Sequence, residues 1–303
     1  MAGTPVSLPS SRERMSDLLL YMSYGRDCYH QETMFSILSA RRFMTGGEAW
    51  RPLVYTDRPA DYEWLDVEVH ELTPTLMHEW IGEGYPFRRK VACILDVLES
   101  GVGKLAFLDG DTYFKKDPRH LFDRIGPGRA CLHLRELRLA RRAGTAGPVL
   151  ERLFSKDLVR DAADRPVRLR PREAMWNSGV IGVDAADADK VRAALRLIDD
   201  VWEHEQSVHT LEQFALGHVL AAEARLSESD DLVFHYWHNR QRAPFLARLP
   251  DLLAHARRMP LSEAAEWSYR QRPTDAPIRR AAGMLRSAMH RAGLDHRWTR
   301  TSF

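Results

Sequence analysis

Residues 105–114 read LAFLDGDTYF: an apolar run delivers two aspartates separated by one glycine, and the chain then turns aromatic again. LAFLD has the length and composition of a strand buried on both faces. Upstream, Val91, Ile94, Leu95 and Leu98 recur at helical spacing until glycines at 101 and 103 end the helix. A helix feeding a short, wholly apolar strand is the pattern of a parallel sheet covered on both sides. In such a sheet the polar residues just past a strand's carboxyl end are the usual site residues. Asp109 and Asp111 occupy that place. Two carboxylates on one turn can aim oxygens at a common point, which suits a hard cation such as Mg2+ or Mn2+ with a diphosphate filling its remaining positions. Gly110 between them leaves room for phosphate or sugar.

The same strand-and-polar-tip arrangement repeats on the N-terminal side. DLLLYMSYG, beginning at Asp17, is an apolar strand ending at Tyr24 and Gly25, and RPLVYTDRP, beginning at Arg51, ends at Thr56 and Asp57. These tips suit a nucleotide base and ribose at the sheet's edge, although a tyrosine closing a strand packs structurally about as often. A helix is expected over residues 31–43 and a short strand over 66–70. The run Arg88, Arg89, Lys90 opens the helix before LAFLD, where cations oppose the helix dipole. That placement suggests a separate task, with Arg88 the member expected to reach phosphate or donor sugar. Further on, AMWNSGVIGVD from Ala174 reads as a strand, followed by an amphipathic helix through Val191, Leu195, Ile198 and Trp202. Residues 211–220 read as another helix, and DLVFHYWHNR from Asp231 as a short strand entering a polar loop. Residues 136–174, with their basic run LRELRLARRAG, lack interleaved aromatics and read as a solvated or acceptor-facing insertion.

The 303 residues carry 44 basic and 42 acidic side chains, a net charge of +2, which argues against whole-protein attraction to nucleic acid. Three cysteines, at 28, 93 and 131, are too few and too scattered for a disulfide framework or a thiolate metal cluster. The first residues lack a signal-peptide pattern, and no apolar run approaches the ~20 residues needed to span a bilayer. The expected setting is cytoplasmic. The segment 271–303 holds seven arginines against two acidic residues. It reads either as a helix packed on the domain or as a basic face meeting the inner surface of a membrane. The expected division is an N-terminal tail over 1–16, a catalytic domain over 17–255 and a helical appendage over 256–303.

An apolar strand ending in Asp-x-Asp also opens phosphatase-like domains, but there Thr or Val stands four residues after the first Asp. Tyr113 holds that place here, and the pair comes a hundred residues into the chain. A broader match lies elsewhere. Asp109-Gly110-Asp111, Asn177-Ser178-Gly179-Val180, Glu212-Gln213 and His235-Tyr236 occur in that order. Together they resemble the nucleotide-sugar-dependent glycosyltransferases of the GT-A fold, nearest in pattern to the retaining glycosyltransferase family 8.

The resemblance implies a GT-A type, Rossmann-like, mixed but mostly parallel sheet flanked by helices. It also implies transfer of a sugar from a nucleoside-diphosphate donor, UDP-linked in that family, to a hydroxyl on a glycan, a lipid-linked or a small-molecule acceptor. Asp109, Asp111 and His235 would hold Mn2+ or Mg2+, with His238 the rival for the third place. Asn177, Ser178 and Gly179 would contact the donor sugar, Glu212 a donor hydroxyl and Gln213 the anomeric centre. Arg240 and Arg242 would close over the diphosphate. Three departures stand out: Glu212 where the family has Asp, Ser178 where Ala is frequent, and WHNRQR where a lysine-containing glycine loop is usual. An inverting enzyme would need a carboxylate base, for which Glu212 and Asp184 are the candidates. The competing functions are a nucleotidyltransferase, disfavoured by the glycine-poor MSYGRDCY, a hydrolase, and a nucleotide-sugar-binding protein without turnover.

Overall fold

The computed structural model describes residues 17–44, 46, 50–138, 146–159, 161, 165–170 and 173–274. A seven-stranded sheet forms the centre, in the order β3-β2-β1-β4-β7-β6-β8. Its strands are β1 (Asp17–Ser23), β2 (Trp50–Thr56), β3 (Glu68–Glu71), β4 (Lys104–Leu108), β6 (Arg129–Arg138), β7 (Ala174–Asp184) and β8 (Arg225–Glu228). β3, β2, β1 and β4 run parallel; β7 is antiparallel to β4 and β6, and β6 and β8 are again parallel. The sheet is therefore mixed and mostly parallel, with β7 the one reversed strand.

Apolar residues on successive positions of β1 and β4 serve opposite faces, as a two-residue period requires. Leu18, Leu20, Leu105 and Phe107 join one core, while Leu19, Tyr21, Ala106 and Leu108 join the other. Helices α3 (Arg88–Glu99), α6 (Ala188–His204) and α7 (Leu211–Glu223) contribute to the first core, and α1 (Asp27–Arg41), α9 (Leu249–Ala256) and α10 (Leu261–Arg270) to the second. Both faces are covered, which is why the strands read as continuous apolar runs.

The chain fills β1, β2 and β3 in one direction, then returns to place β4 on the other side of β1. The switch point between β1 and β4 opens a crevice beyond their carboxyl ends, where ligands of such sheets bind. Tyr24-Gly25 and Asp109-Gly110-Asp111 both leave the sheet there. Past the second aspartate, β5 (Thr112–Phe114) pairs antiparallel with β9 (Val233–His235) in a separate two-stranded ribbon, with Thr112 opposite His235.

Several elements differ from the sequence reading. α1 starts at Asp27 rather than 31, because Tyr29, His30 and Glu32 already turn with the helix. β6 extends to Arg138, into the basic run read as insertion, and α5 (Ala146–Ser155) follows it. After β9 the chain forms α8 (Asn239–Leu246), and α10 packs on α1. The tail 1–16 and all but the first residues of 271–303 lie outside the described residues. No helix among the described residues is long and apolar enough to cross a membrane.

Candidate metal centre

The DGD turn is held at both ends by backbone. The Asp109 amide donates to the Gly179 carbonyl at 3.0 Å, which ties the turn to β7, and the Tyr236 amide donates to the Asp111 carbonyl at 3.0 Å, which ties it to the end of β9. The β5–β9 pairing then sets His235 beside Asp111, with Nε2 3.1 Å from Oδ1. One ligand atom each from Asp109, Asp111 and His235 lies within 4.8 Å of the others. The set comprises two carboxylate oxygens and one imidazole nitrogen, a compact donor set suited to a divalent cation.

The histidine is oriented by its other nitrogen. Nδ1 lies 2.9 Å from Oδ1 of Asn177, an oxygen that also accepts the Gly179 amide at 3.0 Å. An amide N–H must point at an oxygen, so that contact fixes which side of the carboxamide faces the ring. Nδ1 therefore carries the proton, and in the neutral ring the lone pair is on Nε2, facing Asp111. Asn177, expected to contact the sugar, uses its oxygen on His235 and the backbone.

The two glycines of the motifs also have intramolecular reasons. A Cβ on Gly179 would lie 2.2 Å from His235 Nδ1, so the glycine makes the seat for the imidazole. A Cβ on Gly110 would meet Thr33 Oγ1 at 2.6 Å, so on the side of the missing side chain α1 packs against the turn. In both places the close approach is made by a side chain of this protein.

Burial disfavours a charged Asp111, but His235, Arg242 and Lys90 outweigh it and hold its carboxyl down to about 2. His235 responds in the opposite sense: burial pushes it down, and Asp111 overrides this and raises it. Asp109 has a different partner, Lys90, whose Nζ lies 2.6 Å from Oδ1. The same Nζ donates to the carbonyl and Oγ of Ser178, both at 3.3 Å, and Ser178 Oγ donates to Glu212 Oε1 at 3.1 Å. The Tyr85 hydroxyl donates to the other Glu212 oxygen. Ser178 and Glu212, both expected at the donor sugar, are thus buried and joined to Asp109 through one lysine. Neighbouring Gln213 keeps a buried Oε1 that has no hydrogen-bond partner among the described residues.

Arg88 is turned away from this centre. Its guanidinium grips Asp199 on α6 at 2.6 and 2.9 Å and donates to the Trp80 carbonyl at 3.1 Å. Lys90 is the cation of that run that arrives, because it shares the buried stripe of α3 with Ile94 and Val97. At the ends of β1 and β2, Asp57 accepts the Gly25 amide at 3.0 Å and approaches His30 at 3.2 Å. Thr56 is fully buried and its hydroxyl accepts the Arg58 amide at 3.1 Å, so of the pair Asp57 is the one that meets Gly25 at the end of β1. Tyr24 lies under the Arg89 guanidinium, 5.5 Å from ring to carbon. Arg240 is exposed in the first turn of α8, while Arg242, two residues on and so on the opposite side of the helix, points inward to Glu32 and Asp111. Burial lifts the Glu32 carboxyl, and the bidentate Arg242 guanidinium opposes that rise and favours the ionised pair.

His238 does not join the centre: its Nδ1 caps α8 by accepting the Arg240 amide at 3.3 Å. His235→Ala is expected to lower Mn2+ affinity ~10- to 100-fold. His238→Ala should leave it within about threefold and cost about 1 kcal/mol through the lost cap. Mn2+ titration and urea unfolding of both variants check the ranking.

Glu32 and His133 went unread in the sequence. Glu32 falls in line with Ser36 and Ser39 at positions i, i+4 and i+7, a polar stripe that faces β5, where Ser36 meets Thr112 at 2.9 Å and Ser39 accepts the Phe114 amide at 2.9 Å. His133 stands on β6 with its ring edge-on to His235, centroids 5.4 Å apart. Burial drives its imidazole down to about 3, and His235 adds to the effect. The unfolded chain then binds the extra proton first as pH falls below ~6.5, so this contribution to stability is complete above that pH and lost towards 3. Between pH 7 and 5 the wild type should lose about 2 kcal/mol that His133→Gln does not lose. Urea unfolding at the two pH values measures the difference, and equal slopes would contradict the assignment.

No protein-family model and no curated protein matches the chain. Solved structures similar to it include the apo form of mouse xyloside xylosyltransferase 1, with TM-score 0.46, covering 70% of this chain and 84% of that one. Apo WbbM, a bifunctional glycosyltransferase, gives TM-score 0.49 over 80% of this chain and 45% of its own. An active-site mutant of LgtC gives 0.47 over 70% and 73%. Each is 14% identical to this chain, so the chemistry must be taken from the DGD turn itself. The fold is GT-A-like. Its Asp-x-Asp and histidine, converging past the central strand, are consistent with a metal-dependent glycosyltransferase.

Proposed function

We propose that the protein transfers a sugar, with retention, from a nucleoside-diphosphate donor, UDP-linked by resemblance, to an acceptor hydroxyl. The observation that carries this is the convergence of Asp109, Asp111 and His235 at the switch point of the sheet. These residues fit a divalent cation: Asp109 and Asp111 supply charge, and His235 offers Nε2 because Asn177 occupies Nδ1. When bound, Mn2+ or Mg2+ would neutralise charge developing on the diphosphate leaving group.

The chain's own groups divide the remaining work. Lys90 holds a buried positive charge against Asp109 at the bottom of the crevice. Glu212 anchors Lys90 through Ser178, and Gln213 brings a buried, unpartnered oxygen that a donor hydroxyl can satisfy. Tyr24, Gly25 and Asp57 line the nucleotide end. Neither candidate base favours inversion. Glu212 has both oxygens engaged by hydroxyl donors, and Asp184 pairs with Lys104 at the opposite end of β4, roughly 13 Å of strand from Leu108. With neither of these two carboxylates free at the site, attack from the face vacated by the leaving phosphate, which takes the acceptor proton, is the simpler course.

The acceptor is a glycan, a lipid-linked or a small-molecule hydroxyl. Contact of 271–303 with an anionic membrane is tested by sedimenting the chain with anionic liposomes, with and without that segment. For the reaction, UDP-, GDP- and ADP-sugars with Mn2+ are screened against a mixed acceptor set, with NMR of the product's anomeric centre. Donor-dependent transfer with the donor's anomeric configuration retained is expected. Nucleotide-sugar hydrolysis without transfer favours a hydrolase, and binding without turnover favours an inactive relative.

A further inference from the structure

Glu32 lies mid-helix in α1 and is 1% exposed. A carboxylate so buried requires a fixed partner, and Arg242 supplies it from α8, 210 residues away. The pairing is fork to fork: Nε lies 2.8 Å from Oε1 and Nη2 2.6 Å from Oε2. This engages one edge of the guanidinium. The remaining nitrogen, Nη1, is directed at Asp111 Oδ2 from 3.5 Å, longer than a good hydrogen bond. Arg242 thus has one edge locked and the other turned towards the candidate metal ligands.

A locked guanidinium beside a divalent cation is repelled by it, unless an anion lies between them. A diphosphate is such an anion, with oxygens for both the cation and the N–H groups. Resting on the reading of the site as a nucleoside-diphosphate-sugar centre, we infer that Glu32 is a positioning residue that fixes Arg242 so that its Nη1 edge donates to the diphosphate. Countering the arginine's charge from behind, Glu32 lets it remain near the cation. It also removes the rotamer freedom that a free arginine would lose on binding. The order of elements makes this a device of the whole fold: α1 brings the carboxylate, the DGD turn brings Asp111, and α8 brings the guanidinium.

The test is calorimetric titration of UDP at saturating Mn2+ into the full chain and into Arg242→Ala, Glu32→Gln and the double variant, with Mn2+ alone titrated in parallel. UDP affinity should fall ~10- to 100-fold for Arg242→Ala, the loss of a charge-assisted contact, while Mn2+ affinity stays within about threefold. Glu32→Gln should weaken UDP by a smaller factor. The double variant, which removes the buried charge that the arginine variant strands and so keeps a folded comparison, should bind no more weakly than Arg242→Ala. A merely structural pair would lower the unfolding midpoint without changing UDP affinity, and unchanged affinity in folded Arg242→Ala or in the double variant overturns the inference alone. Losses that add in full deny Glu32 its positioning role. Failure of the wild-type protein to bind UDP with Mn2+ overturns both the inference and the reading beneath it.

Discussion

Asp111→Asn is expected to abolish metal-dependent donor binding: Mn2+ affinity should fall by at least about 100-fold, and the proposed donor-dependent turnover by a similar factor, of the order seen when a charged group at a catalytic centre is neutralised. The carboxylate is buried and is kept ionised by His235, Arg242 and Lys90, so its charge is available to a cation. The carboxamide keeps the shape of the side chain and leaves the backbone anchors of the turn, Tyr236 on Asp111 and Gly179 on Asp109, untouched. The fold should therefore survive, which near-UV circular dichroism and thermal unfolding can verify. An unchanged Mn2+ titration would remove Asp111 from the ligand set.

Gly179→Ala should damage the same centre without altering a ligand. The added methyl would lie 2.2 Å from His235 Nδ1 and 2.5 Å from Cε1, distances that real contacts do not reach. The imidazole has little space to yield, since Asn177 holds one nitrogen, Asp111 faces the other and His133 stands edge-on to the ring. Overpacking of this kind costs about 1–3 kcal/mol of stability, and loss of the Asn177 contact misdirects Nε2, for an expected ~10- to 100-fold loss in Mn2+ affinity. In the background of His235→Ala the methyl enters the space left by the ring. The stability cost should then largely vanish, a non-additivity that urea unfolding of the single and double variants detects. If Gly179→Ala alone binds Mn2+ normally, His235 is not the third ligand in the geometry described.

Much of this was legible in one dimension. β4 and β7 announce themselves because a strand covered on both faces must be apolar at every position, and the expected strand over AMWNSGVIGVD coincides with β7. β6 was obscured because its second half, RELR, merges with a basic run, and β8 because four residues with charged ends at a sheet's edge carry no run. The metal-ligand candidates were readable as a motif, whereas the reasons for the surrounding residues were not. Gly110 and Gly179 signal close approach, and only the tertiary structure names Thr33 and His235 as the approaching groups. Lys90, not Arg88, is the inward cation of this run by helical phase alone. Three consecutive helical residues face three directions, and Lys90 is the one in phase with the buried Ile94 and Val97. Glu32 and Arg242 could not have been paired, since nothing local links positions 210 residues apart.

Pulsed EPR of Mn2+ bound to the protein in the presence of UDP tests the central claim most directly, because it reads the nuclei around the ion. The account predicts nitrogen modulation from one imidazole, lost in His235→Ala and kept in His238→Ala, together with phosphorus coupling from the diphosphate. A spectrum of hydrated Mn2+ with neither nitrogen nor phosphorus, or nitrogen modulation that survives His235→Ala, would contradict it.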